Sequence, residues 1–440
     1  MNRKTLRILS LSLLTAAVLC LAGCAPSIGG PGSDLDTLAE ADPTPEFTPA
    51  PDSVTMVVTP ETISQLEAYP ELRKADLTGS TCYPEIMAYM EAHPDVQVIY
   101  TVDVMGKTIR SDLELVNLAG IAPEQVDEVA NALQYLPKLK YVELMASDGS
   151  CALSLENVKR FQEIIPGAQF NYNFEMFGKR FNTADLYIVF ENTPIGDEGL
   201  NTIRMAMDIM PQLYSVSLDK CEVSTPAMAK LREDYPDVQV DWRLYFGTKF
   251  NCMTNEDILR LTDGLYNDNI ADMKYLTKAR YVDIGHNDRL SDISFLQYMP
   301  DLELLIVSGA AVKDLTPLSN AKNLEYLELV FCGNLQDLSP LAGCENLKYL
   351  NISMTLVKDL TPLDDLPIER FNCLSMKYLP NSQREHFKEK HPDCLSVFNG
   401  TQPYGYGWRY TDYGYTFWEY YANMRIIFDY DNKYWYTGRT

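Results

Sequence analysis

Between residues 279 and 373 one pattern recurs four times and begins a fifth, and a tandem period of this kind leaves a chain few ways to fold. The copies run ARYVDIGHNDRLSDISFLQYMPD from Ala279, LELLIVSGAAVKDLTPLSNAKN from Leu302, LEYLELVFCGNLQDLSPLAGCEN from Leu324 and LKYLNISMTLVKDLTPLDDLP from Leu347. Their starts, with a fifth at Ile368, lie 23, 22, 23 and 21 residues apart. Each opens as a short strand whose apolar residues share one face, as with Leu302, Leu305 and Val307. A turn position follows, filled by Asn287, Ala310, Cys332 or Thr355. The polar side chains of Asn, Cys and Thr can bond backbone groups at such a turn, which Ala310 cannot do through its side chain. The second half reads DLTPL, DLSPL and DLTPL at 314–318, 337–341 and 359–363, where Pro suits the first turn of a short helix or a tight turn. No single copy buries its apolar edge, so the copies must stack.

The frame LxxLxLxx(N/C)xL at a period of roughly 20–29 residues is that of leucine-rich repeats, and the DLxPL half resembles the internalin-like class of bacterial repeats. The resemblance implies an α/β leucine-rich-repeat solenoid, a horseshoe with a parallel concave sheet and helices or turns on the convex side. Repeats of this kind are specific for fold and much less so for function.

Residues 61–250 carry a longer period. HPDVQVIYTVDVMGKTI from His93, IPGAQFNYNFEMFGKRF from Ile165 and YPDVQVDWRLYFGTKF from Tyr235 align, with Pro94, Pro166 and Pro236 spaced by 72 and 70. Helical patterns such as EQVDEVANALQYL (124–136) and EGLNTIRMAMDIM (198–210) run between them. Strand then helix, iterated, predicts divergent leucine-rich-repeat-like coils over 55–278, continuous with regular repeats and a last coil over 279–399. A separate α/β domain over 55–255 is the rival account. The turns at Gly106, Gly178 and Gly247 leave open a hairpin or a shortened coil in each unit.

The first 23 residues have a basic start, an apolar run from Ile8 to Leu21 and a small-residue end, which is the pattern of an export signal. The ending Leu21-Ala22-Gly23-Cys24 resembles the lipobox of bacterial lipoproteins. That resemblance implies a lipid on Cys24 and a chain anchored to the outer face of a bacterial membrane, with 24–54, rich in Pro, Gly and Ser, as a flexible tether. A formal charge of −24 disfavours nucleic acid and anionic lipid surfaces.

No nucleophile–base constellation, Gly-rich phosphate loop or metal-ligand spacing stands out, so the reading is a non-enzyme with no catalytic residues, no metal and no cofactor. His93 and His391, each in an HPD, read as helix-end residues. Cys221 and Cys332 read as buried structural thiols, and Cys373 with Cys394 is the pair to test first for a disulfide.

The third, fifth and eighth positions of each repeat should face the groove. They supply Tyr281, Leu304, Ile306, Tyr326, Glu328, Phe331, Tyr349, Asn351 and Met354, an aromatic and apolar stripe flanked by carboxylates. Aromatics are enriched at interface centres, so the stripe predicts a concave face for an extracellular protein or peptide ligand. Strand propensity alone, or cover by the C-terminal tail, would explain it equally.

Residues 400–440 hold ten Tyr, three of the four Trp and two Phe, with strand-like alternation between Gly turns. The GWR…YY..MR ending is similar to that of leucine-rich-repeat lipoproteins of Firmicutes. The tail is expected to be an aromatic, β-rich cap closing the last coil. The second functional reading is cell-wall glycan binding through Trp408, Trp418 and Trp435.

Overall fold

The longer period resolves into three copies of one unit: two strand-and-crossover steps, a third parallel strand, then a hairpin. The first unit holds β1 (Ser53–Thr55), β2 (Lys74–Asp76), α1 (Tyr83–Ala92), β3 (Gln97–Ile99) and the hairpin β4 (Thr101–Val104) with β5 (Lys107–Arg110). The second holds β6 (Leu115–Asn117), α2 (Val126–Leu133), β7 (Tyr141–Glu143), α3 (Leu155–Ile164), β8 (Gln169–Asn171) and the hairpin β9 (Asn173–Met176) with β10 (Lys179–Asn182). In the third, β11 (Tyr187–Glu191), α4 (Gly196–Ile209), β12 (Ser215–Asp219) and α5 (Thr225–Asp234) lead to β13 (Gln239–Phe246), which turns back directly into β14 (Phe250–Met253). The hairpin is therefore the answer where the sequence left two. Met105–Gly106 and Phe177–Gly178 make two-residue turns with both φ values positive, the geometry that matches strand twist.

One buried hydroxyl recurs at each hairpin exit. Ser111, Thr183 and Thr254 exchange bonds with the aromatic that starts the hairpin: backbone N–H of Tyr100, Tyr172 and Trp242 donates to their hydroxyls at 3.0, 3.2 and 3.2 Å, and their own N–H groups donate back to the aromatic carbonyls. Helices end in a shared way too. His93, Ile165, Tyr235 and His391 each follow a helix with φ between −127 and −124° and ψ between 65 and 69°. Each precedes a Pro or stands beside one, and a following proline excludes helical backbone at the residue before it.

The regular repeats form one seven-stranded parallel sheet: β15 (Ile258–Arg260), β16 (Tyr281–Asp283), β17 (Leu304–Ile306), β18 (Tyr326–Glu328), β19 (Tyr349–Asn351), β20 (Arg370–Asn372) and β21 (Leu395–Val397). Short 3-10 turns occupy the other side, and α6 (Asn381–Lys390) serves the last coil. The DLxPL motif has a local cause. Asp314, Asp337 and Asp359 accept from the backbone N–H two residues on, at 2.8, 2.8 and 3.0 Å, and so cap the turn that the Pro begins. Asn287 is the strongest of the between-coil residues. Its amide donates to the Leu261 and Ile284 carbonyls at 2.9 and 2.7 Å and accepts from Gly264 and Leu265 N–H at 2.7 and 2.8 Å. Cys332 and Thr355 bond a carbonyl each, and Ala310 bonds none through its side chain.

The computed structural model describes residues 52–411 and 416–432, which belong to one unit beginning at Asp52. The expected export signal, Cys24, most of the expected tether and Trp435 lie outside the described residues. All eight described cysteines are free, Cys373 and Cys394 included. No described helix is long and apolar enough to cross a membrane. The tail departs from the β-rich expectation: it contains a helix, α7 (Glu419–Ile427), and isolated bridges at Tyr406–Tyr410 and Tyr410–Phe417. Tyr421, Met424 and Phe428, at steps of three and four, all lie on the buried side, and that helical spacing outweighs the alternation of aromatics.

Candidate functional site

Because the strands of the seven-stranded sheet pair in register, their outward residues form rows. The first row is Ile258, Tyr281, Leu304, Tyr326, Tyr349, Arg370 and Leu395, and the second is Arg260, Asp283, Ile306, Glu328, Asn351, Asn372 and Val397. These rows hold most of the residues expected to meet a ligand, and they are covered. Tyr326 and Leu304 are 1% exposed, Ile306 5%, and Glu328 and Asn351 0%. The cover is the chain's own tail. Trp408, Tyr421, Met424 and Phe428 close with Leu304, Ile306 and Tyr326 into a second apolar core, with Tyr281, Tyr349, Trp418 and Tyr420 packed at its margin. Each fully buried large side chain contributes about 1.5–3 kcal/mol gross. A ligand seeking this groove would have to replace four of them.

Polar contacts fix where the tail lands. Glu328 is the hub: its Oε2 accepts from Trp408 Nε1 at 2.6 Å and from Tyr326 Oη at 2.9 Å, and its Oε1 accepts from Ser308 Oγ at 2.9 Å and Arg409 Nη2 at 3.3 Å. Burial works against the charge on Arg409, but Glu328 together with the hydroxyls of Tyr421, Tyr326 and Tyr404 more than offsets it, so the guanidinium pKa rises. Burial, and then the Glu328 charge, push the Tyr326 hydroxyl well above its ordinary value. A second anchor joins Tyr430 Oη to Asp283 Oδ2 at 2.6 Å. Burial lifts the Asp283 carboxyl above the usual carboxylate range, opposed by the bonds from Tyr430 and the Gly285 N–H. Arg260 donates to the Phe428 and Asp429 carbonyls at 3.3 and 3.0 Å, and Asn351 donates to the Pro403 carbonyl at 2.9 Å.

The expected open groove is thus corrected residue by residue. Tyr281 and Tyr349 are half-buried beneath tail aromatics, with Tyr349 4.7 Å from both Trp418 and Tyr420. Phe331 and Met354 are not strand residues: both sit at left-handed turns, with φ of 63 and 64°, where the strand ends. Phe331 keeps 48% of its surface exposed, and Met354 is half-buried. The tryptophans expected to stack on sugar are corrected too. Trp408 is 1% exposed with its N–H committed to Glu328, and Trp418 lies edge-on to Tyr349 with Arg370 4.0 Å above its ring. Trp435 lies outside the described residues.

Residues 322–365, two of the regular coils, match the family model described as Leucine Rich repeats (2 copies). The fold is a leucine-rich-repeat solenoid. Similar solved structures include an internalin (inlF) of Listeria monocytogenes, 16% identical, with 68% of this chain and 86% of that one covered at a TM-score of 0.30. Internalin C2 of the same organism is 16% identical over 57% and 84% at 0.24. A leucine-rich-repeat protein of Leptospira interrogans is 14% identical over 78% and 93% at 0.29. No curated protein matches the chain. Identities and scores at this level assign no ligand to the solenoid.

The solenoid's other strand faces are open. Leu115 and Tyr141 pair across β6 and β7 at 57% and 48% exposed, and Tyr187 and Val189 on β11 are 50% and 44% exposed. Tyr214 meets Tyr187 edge-on at 6.0 Å and is 59% exposed, and Tyr245 on β13 is 57% exposed. Polar neighbours are organised: Arg243 makes a bidentate pair with Asp219 at 2.6 and 2.7 Å, and Asn171 donates to Glu143 at 2.6 Å. Sequence reasoning singled out none of these. The signal was available, since LVNL, YVEL and YIVF carry the same outward positions as the regular strands. Among the described residues no group of three or more His, Cys, Asp or Glu side chains is placed to hold a metal ion.

Proposed function

We propose that this chain is a surface recognition protein, exported and lipid-anchored through Cys24 on the outer face of a bacterial membrane. Its ligand is an extracellular protein or peptide, and the contact surface is the open strand face of the divergent coils. One observation carries this reading. The solenoid covers the aromatic row of its regular coils with its own tail, yet leaves Leu115, Tyr141, Tyr187 and Val189 exposed at the matching strand positions, with Tyr214 beside Tyr187 and Tyr245 exposed on the hairpin strand β13. Large apolar side chains left exposed together and rimmed by polar groups mark interaction surfaces. Glu143 and Glu191 lie beside them on the same strand faces, which suits a partner with basic groups. The absence of a catalytic constellation in the sequence, and the binding-scaffold character of the fold, favour recognition over catalysis.

The test is a screen of the protein against an extracellular protein array, repeated with Tyr141→Ala and Tyr187→Ala. Both side chains are about half exposed, so truncation should leave the fold intact while partner binding falls at least about tenfold. Unchanged binding in both variants would refute the surface. For the anchor, Cys24→Ala should release the chain from the membrane fraction.

A further inference from the structure

Where the chain leaves β21 and turns back over the sheet, it encloses a cleft of about 530 Å³ between the last coil and the tail. Small-ligand sites span about 300–1,000 Å³. One wall is aromatic: Tyr404 is half-buried, Tyr406 stands at the mouth at 37% exposed, and Tyr410 lies beside them. The rim is made of exposed neutral groups, chiefly the amides of Asn399 and Gln402, which can donate and accept at once. Arg409 is the one charged residue among the described residues lining the cleft, and its charge is met by Glu328 at 3.3 Å. Among the described residues, the cleft therefore offers no uncompensated charge to a phosphate, a carboxylate or an ammonium group.

Rings on one side and two-way neutral hydrogen bonding on the other match a ligand with an apolar face and many hydroxyls. We propose that this cleft binds a neutral saccharide, with Tyr406 as the stacking platform and the Asn399 and Gln402 amides taking its hydroxyls. Next to the platform, the backbone at Gly407 lies close against β21. Its φ of +82° and a would-be Cβ only 2.4 Å from Val397 Cγ2 show the tail pressed against β21. This site is separate from the open strand face and stands on different residues.

The full chain is titrated by calorimetry with three neutral probes, maltotriose, cellotriose and chitotriose, and with trigalacturonate as the charged comparator. The expected result is saturable binding of at least one neutral probe, weakened at least about tenfold by Tyr406→Ala and by Gln402→Ala. Thermal melts of both variants should match the parent, and Tyr187→Ala should bind the probe normally. No saturable binding of any neutral probe overturns the proposal. So does binding that survives both variants, binding lost equally in Tyr187→Ala, or a preference for trigalacturonate. Failure here leaves the strand-face reading standing, because that reading is read out by protein partners and by Tyr187→Ala.

Discussion

Replacing Glu328 with Gln changes one oxygen for an N–H₂ group and keeps the volume, so the cost comes from hydrogen bonding alone. The two carboxylate oxygens face four donors: Trp408 and Tyr326 on one, Ser308 and Arg409 on the other. The hydroxyls of Tyr326 and Ser308 can turn and accept, but an indole N–H and a guanidinium can only donate. Whichever way the amide is placed, its N–H₂ meets either Trp408 or Arg409. A buried donor left without its acceptor costs about 1–3 kcal/mol, and more when charged, so Glu328→Gln should destabilise the docked tail by about 2–3 kcal/mol. That is a factor of roughly 30–150 in the docking equilibrium. Urea titration followed by Trp emission for the tail and by far-ultraviolet dichroism for the solenoid separates the two events, since repeat arrays need not unfold in one step. The emission transition should move to lower urea and the dichroism transition much less. A shift below about 0.5 kcal/mol in both signals would refute the role given to the carboxylate.

Three further outcomes follow from the same contacts. Asn287→Ala strips four hydrogen bonds from backbone groups of two coils and should cost about 3–5 kcal/mol by denaturant titration, far more than Cys332→Ala, whose thiol makes one. Thr254→Val should cost more than Thr183→Val, because the Thr254 hydroxyl also binds Arg232 and the buried Asp241 at 3.0 Å each. Burial raises the Asp283 carboxyl above its ordinary 3.8, so the native state binds a proton over a range where the unfolded chain does not. Stability from this group therefore falls as pH rises from below 3.8 through the folded value, and Asp283→Asn should gain on the parent across that window in melts taken at successive pH. A difference that stays flat with pH would contradict the assignment.

The coils were legible because their cause is local. Leu305, Leu327, Leu350 and Phe371 recur at steps of 22, 23 and 21, and the same recurrence sets the strand register; Asp314, Asp337 and Asp359 cap turns two residues away. His93 and His391 end helices because a proline follows each. The helix in the tail was not legible, and its landing over the aromatic stripe was one alternative that the sequence left undecided. Trp408 reaches Glu328 across 80 residues, and Arg260 reaches Phe428 across 168, and no period announces a contact at such separation. The aromatic stripe misled for a related reason: Tyr326 and Tyr349 suit a ligand groove and a tail-covered core equally well. The open row escaped notice because its strands, broken into separate sheets by hairpins, lack the leucine frame that made the regular coils conspicuous.

The central claim is that the tail lies over the regular coils while the divergent coils stay open, and tyrosine footprinting by nitration of the full folded chain, read by peptide mass spectrometry, tests it most directly. Tyr141, Tyr187, Tyr214 and Tyr245, all 48–59% exposed, should be modified early, while Tyr326 and Tyr421, at 1% and 4%, stay protected until the chain unfolds. Modification of Tyr326 as fast as Tyr187 in the folded protein would mean that the groove is open, and the assignment of the recognition surface would fall with it.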